Sequence, residues 1–124
     1  MLKLGLDLSL SSLRPQGVWS PDDESSLEAW YQNAVGITLN GSDVSQWADS
    51  STNSRNMVQA TASEQPAYSS GTLTFNAGAS QNLQTSGQIS LSGAFTIGIK
   101  MTSTSFDNVV IADNTTSNEF IKIT

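Results

Sequence analysis

The sequence predicts an all-β domain of the sandwich or jelly-roll type, and three observations carry that expectation. Apolar residues alternate with polar ones in several short runs, and each run is bounded by Gly, Asn, Ser or Pro. Ser, Thr, Asn and Gln number 50 of the 124 residues, against 28 for Leu, Ile, Val and Phe. Alternation with period two turns one strand face toward a core and the other toward water. Small hydroxyl and amide side chains compete with the backbone inside helices, and suit turns and wet strand faces. The aliphatic and Phe content still stands above the roughly 20% level that marks disorder. A chain of this length suits one domain.

The elements follow in chain order. Residues 1–10 read MLKLGLDLSL, with Leu2, Leu4, Leu6, Leu8 and Leu10 on one side and Lys3, Gly5, Asp7 and Ser9 on the other. A secretory signal core is a continuous apolar run, so this segment reads as a strand or arm and the chain as one made without export. Residues 11–18 form a linker, which divides the chain into an arm with linker (1–18) and a β domain (19–124). Ser20 followed by Pro21 and the acids Asp22, Asp23 and Glu24 is the ordered signal for a helix start, predicting a turn or two that end near Leu27. Strands and turns then succeed one another: 27–32, 36–39, a turn at Asn40-Gly41, 44–49, a polar loop over 50–56, 57–60, 66–68, 73–76 and 82–85. Residues 94–101 are among the clearest strands, since Phe95, Ile97, Ile99 and Met101 alternate with Thr96, Gly98 and Lys100. Residues 106–112 and 119–124 complete the set. The last of these has strand character to its end, which predicts either pairing with another chain or a continuation of the polypeptide.

Composition removes several function classes. There is no cysteine and no histidine, so disulfides, thiol nucleophiles, Cys or His zinc ligands and His-based proton relays are excluded. A formal charge of −6, with Lys3, Arg14, Arg55, Lys100 and Lys122 scattered singly, argues against nucleic acid as a partner. No segment approaches the roughly 20 apolar residues of a membrane-spanning helix, and no membrane insertion is expected. The triplet 22–24 lacks the Asp-x-Asp-x-Asp-Gly loop that would favour calcium and is explained by a helix start. Asx turns explain Asp107-Asn108 and Asp113-Asn114. Paired carboxylates across a groove, as glycoside hydrolysis needs, are not apparent, and Glu28 is placed on a wet strand face. No enzyme activity, metal or cofactor is expected.

Among the aromatics, Trp47, Phe75 and Phe95 are expected in the core. Trp30 and Tyr31 are adjacent and so face opposite ways on a strand, which leaves Tyr31 as the candidate for a surface role. Exposed Tyr and Trp stack on sugar rings while amides supply hydrogen bonds, so Tyr31 with the loop residues Asn53, Asn76 and Asn82 forms a candidate glycan contact.

The elements 27–31 (LEAWY), 44–49 (VSQWAD), 65–68 (QPAY) and 73–76 (LTFN), with Gly78 and Leu83, resemble in order and spacing the first half of concanavalin A-like lectin/glucanase (laminin G-like) jelly-roll domains. The likeness runs over about residues 27–101. It is specifically similar to such domains in virion structural proteins of tailed phages, including cyanophages, and the opening MLKLGL is similar to phage virion proteins too. The resemblance implies a partial concanavalin A-like jelly roll, located in a virion and associated with tail, baseplate or fibre. Its partners would be other virion proteins, further copies of itself, and as an alternative a host glycan. In that family a second half returns across both sheets. The glucanase motif has no counterpart here, and no catalytic residue is carried over. The leucine arm would then act as an assembly strand that adds to a neighbour's sheet or closes its own.

Overall fold

The computed structural model describes residues 19–103, 108–112 and 119–123, and the arm residues Leu2, Leu4, Leu6, Leu8 and Leu10 lie outside them. The described chain is antiparallel sheet with almost no helix, as expected for an all-β protein. Eight strands occur among the described residues: β1 (Ile37–Asn40), β2 (Asp43–Trp47), β3 (Met57–Val58), β4 (Ala67–Ser69), β5 (Thr72–Thr74), β6 (Gln84–Thr85), β7 (Asn108–Ala112) and β8 (Glu119–Ile123). The first six form one sheet in the order β5-β4-β2-β3-β6, with β1 also paired to β2. β7 and β8 form a separate two-stranded ladder.

β2 organises the larger sheet because it pairs with three strands. β1 lies along it through Ile37↔Trp47, Thr38↔Gln46, Leu39↔Val44 and Asn40↔Asp43. β3 pairs with its second half at Gln46↔Val58 and Trp47↔Met57, and β4 meets its start at Asp43↔Ala67. The β1 register skips Ser45, a bulge whose hydroxyl donates to the Thr38 carbonyl at 3.2 Å. The Ser45 carbonyl accepts from the Gln59 amide at 3.0 Å, so the bulge re-aims its backbone instead of losing it. The small core lies here. Val44 and Pro66 are the largest fully buried side chains among the described residues, joined by the Val44 N–H donating to the Pro66 carbonyl at 2.8 Å.

Turn chemistry sets the hairpins. The β1–β2 loop is Gly41-Ser42, one residue beyond the expected Asn40-Gly41, because Asn40 still pairs with Asp43 and Gly41 takes the left-handed position at φ 66°. Ser70 and Gly71 join β4 to β5 with φ 49° and 79°, the double left-handed geometry whose twist matches the flanking strands.

Three expectations are corrected. The helix at Ser20 is only a 3-10 turn, Pro21–Asp23, whose start is held by the Ser20 N–H donating to the Asp23 carboxylate at 2.8 Å. It stops because the Glu24 carboxylate accepts from both the N–H and the hydroxyl of Ser26 while the Glu24 backbone turns extended. Residues 27–32 carry no strand, and Glu28 holds an ion pair instead of lying on a wet strand face. Residues 94–101 form no strand either: Phe95 is 54% exposed and Phe75 51%, so neither fills a core, while Trp47 is half-buried. The alternation at 94–101 is real in the sequence. A strand, however, needs a neighbour to hydrogen-bond, and no strand pairing reaches this stretch among the described residues.

Gly36 is fixed by close approach as well as by backbone angle. Its φ is 69°, its carbonyl accepts from the Ala48 N–H at 2.8 Å, and a Cβ added there would lie 2.6 Å from the Ala48 Cβ. Gly36→Ala is therefore expected to cost about 1–3 kcal/mol, strain and contact together. Gly41→Ala, with open space around it, should cost only the backbone part. Denaturant titration of the two variants checks the ranking, and equal losses would contradict it.

Candidate functional site

Two polar knots brace the ends of the larger sheet, and a broad open hollow lies beside them. The first knot is centred on Asp49, just after β2. One carboxylate oxygen accepts from the N–H groups of Trp30 and Ser51, both at 2.8 Å. The other accepts from the Ser51 hydroxyl at 2.7 Å and the Arg55 N–H at 3.0 Å. The loop 50–56 is thus wound around one carboxylate. The Asp49 N–H and the Asn56 side chain close it at 3.0 Å. Burial by itself would raise the Asp49 carboxyl, but hydrogen bonds from Ser51, Trp30 and Arg55 outweigh it and hold the group below its ordinary value.

Arg55 extends this knot. Its guanidinium donates to the Glu28 carbonyl at 2.6 Å and forms an ion pair with the Glu28 carboxylate. Tyr31 donates its hydroxyl to the Arg55 carbonyl at 2.5 Å. Its ring lies against Trp47, with centroids 5.7 Å apart and planes tilted by 54°. Trp47 in turn donates its indole N–H to the Gln32 carbonyl at 3.0 Å. Burial, reinforced by the nearby Asp49 charge and opposed by Arg55, pushes the Tyr31 hydroxyl up to about 12. Asn53 donates its amide to the carbonyls of Leu27 and Glu28, at 2.8 and 3.1 Å.

The second knot surrounds the buried amides Gln59 and Gln65. Gln65 donates to the Gln59 carbonyl at 2.7 Å and accepts from Asn40 at 3.0 Å. Gln59 donates to Glu64 at 3.3 Å and to the Asn82 side-chain oxygen at 3.1 Å, while its own side-chain oxygen caps the Thr61 N–H. Asn82 donates to the Ser80 carbonyl at 3.0 Å. Asn76 caps the 3-10 turn Ala77–Ala79 by accepting from the Gly78 N–H at 3.0 Å, and its own N–H donates to Gln81. Every buried side-chain polar atom among the described residues has a partner.

The four candidate glycan residues therefore fall into two pairs. Tyr31 and Asn53 share the Glu28–Arg55 frame; Asn76 and Asn82 share the turn before β6. Tyr31, Asn76 and Asn82 line the same hollow, and Asn53 is not part of its lining. Each of the four spends polar groups on internal hydrogen bonds.

The hollow has a volume of about 3470 Å³. That is several times the roughly 300–1,000 Å³ of a small-molecule pocket, so its dimensions suit polypeptide better than a compact ligand. Its walls carry Trp19, Phe75, Phe95, Ile97, Ile99 and Met101, each an exposed large hydrophobic group. Sequence reasoning reached the residues but not the site, because it placed Phe75 and Phe95 inside. A smaller recess of about 210 Å³ is lined by Asp22, Glu24, Ser25, Leu27, Ser50, Ser51 and Thr52. Among the described residues no group of three or more acids is arranged to hold a metal ion. Comparisons with protein-family models, with curated proteins and with solved structures find no match for this chain.

Two predictions follow the titrating groups of the first knot. The Asp49 carboxyl is depressed in the folded state, so its stabilisation is complete above its ordinary value of 3.8 and is lost as pH falls through the lower folded value. Asp49→Ala should cost about 2–3 kcal/mol at neutral pH, and the gap to the parent should narrow as pH falls below 3.8 in chemical denaturation. Tyr31 has the opposite sign: its contribution is complete below 10.0 and disappears as pH rises through about 12. Tyr31→Phe should cost about 1 kcal/mol at neutral pH and lose part of the alkaline destabilisation over that window. Phenolate absorbance of the parent, titrated alongside, should report one tyrosine ionising near 12.

Proposed function

We propose that this chain is a structural component of a tailed-phage virion, associated with tail, baseplate or fibre, that works through assembly contacts. The fold we infer for it is part of a concanavalin A-like jelly roll. One observation carries the reading: the apolar wall at 95–101 lies open and unpaired with any strand of the described chain, beside a sheet whose largest fully buried side chains are Val44 and Pro66. A sheet face must be covered by a second layer to be stable in water. Contiguous apolar surface of this kind marks an interaction site. The likeness of residues 27–101 to virion jelly-roll domains supports the same conclusion, and so does the alternating leucine pattern in the sequence of residues 1–10. The alternative reading, a lectin-like module that attaches to host glycans, draws on Tyr31, Asn76 and Asn82 lining one hollow. A sugar would have to compete there with the internal hydrogen bonds of all three residues, which favours the assembly reading.

Two measurements test the proposal. Quantitative mass spectrometry of purified particles from cells producing the phage should find the chain at a fixed copy number per particle; absence from particles would overturn the virion assignment. The full chain carrying Ile97→Asp with Ile99→Asp should be reduced about tenfold or more in self-association or particle incorporation, since each change puts a charge into the proposed contact. Glycan-array binding that is lost in Tyr31→Ala, with unchanged assembly of the Asp variant, would favour the lectin reading instead.

A further inference from the structure

We infer that the apolar stretch at 94–101 is the docking edge for residues 1–10 of a second copy of the chain, which adds there as a strand. The inference rests on the assembly reading above and names its partner. Three features support this occupant.

First, the two segments have matching patterns. Phe95, Ile97, Ile99 and Met101 repeat every second residue, as do Leu2, Leu4, Leu6, Leu8 and Leu10. Side by side in one sheet, both apolar sets fall on a single face and both polar sets on the other. The combined face would close the hollow opposite Trp30, Trp47, Leu73, Phe75 and Leu83, all of which line it. Ten residues in extended form reach about 33 Å, longer than the stretch to be covered.

Second, the polar sets complement one another. The face opposite the apolar one carries Thr96, Gly98 and Lys100 on the docking stretch, and Lys3, Gly5, Asp7 and Ser9 on the arm. Asp7 and Lys100 are of opposite sign and fall on that same face.

Third, the tether is in the right place. Trp19, at which the described chain begins, lines the same hollow and is 69% exposed, so the point to which the arm and linker are joined lies at its rim. Its linker, 11–18, contains Pro15 and Gly17. Two copies facing each other across a two-fold axis can then exchange arms so that each hollow is filled by its partner's leucines, a closed arrangement that leaves neither docking edge open.

The absence of cysteine makes the test clean. Leu6 is the middle of the five leucines and Ile99 is one of the two central apolar residues of the docking stretch, so they lie within a residue or two of each other whichever way the strands run. Full-length Leu6→Cys chain and full-length Ile99→Cys chain are mixed, equilibrated and treated with a short bismaleimide. The inference expects a cross-linked heterodimer, a dimer mass for the parent by light scattering, and about a tenfold loss of dimer in Leu6→Asp but not in Leu6→Met. Circular dichroism of Leu6→Asp, unchanged from the parent, separates loss of docking from loss of folding. Cross-linking only within a doubly substituted chain overturns the inference, because the arm then covers its own hollow. No cross-link at all, together with loss of assembly in the Ile97→Asp, Ile99→Asp variant, also overturns it while leaving the assembly reading intact. No effect of either set of changes removes both.

Discussion

The rest of the structure depends on the covering of one sheet face. Backbone hydrogen bonds join β5, β4, β2, β3 and β6 into a layer with β1 beside β2, but a layer alone has two faces and buries neither. Val44 and Pro66, tied together near the start of β2 and just before β4, are the largest side chains that the described chain fully encloses by itself. With so little apolar burial, the described fold leans on polar devices: a carboxylate that gathers four donors, a pair of nested glutamines, and loops whose positive φ angles suit the hairpin twist. These fix geometry well. They contribute less net free energy than apolar burial, because each hydrogen bond replaces one made with water. Covering the sheet face that the described residues leave open is thus an energetic requirement as well as a topological one.

The division of labour between the two knots explains the shape of the hollow. Asp49 draws the backbone of Trp30 and Arg55 to the end of β2, and Arg55 then grips Glu28, so the irregular segment 27–32 lies across one end of the sheet. Gln59 and Gln65 do the corresponding work at the other end, pulling in Asn82 ahead of β6. Between these anchors the sheet presents Trp47, Leu73 and Phe75 to the open space. Both knots use side chains to satisfy loop backbone that has no strand partner, which allows 27–32 and 76–83 to be irregular and still well placed.

Sequence patterning revealed the strands wherever both partners were local. β1 with β2 and β4 with β5 are hairpins whose turn residues, Gly41 and Ser70-Gly71, sit between short alternating runs, so each could be placed within a residue or two. Pattern alone did not reach the residues whose environment depends on distant chain. Phe75 and Phe95 are apolar and alternate correctly, yet whether they are buried depends on a covering layer that is not encoded in their own neighbourhood. The Asp49 knot was equally hidden. A Ser/Thr/Asn-rich loop reads as a solvated turn, and nothing in its spacing reveals that one carboxylate will accept from residues 30, 51 and 55 at once. In the sequence Tyr31, Asn53, Asn76 and Asn82 read as free donors and platforms, whereas the fold uses them as internal struts.

That difference bears on how such a domain acquires function. A lectin site needs polar groups that are preorganised and unspent, because a sugar must outcompete water for them and gains little from donors already engaged. An assembly surface needs the reverse: a rigid frame whose polar groups are internally satisfied, next to apolar side chains and a strand edge that only another polypeptide can complete. On the reading proposed above, the larger sheet and its knots serve the second purpose. In that reading, residues 94–101 are the point at which the frame ends and the contact with a partner begins. Their alternation suits a strand, and in the assembly we propose its neighbour is the arm of a second copy.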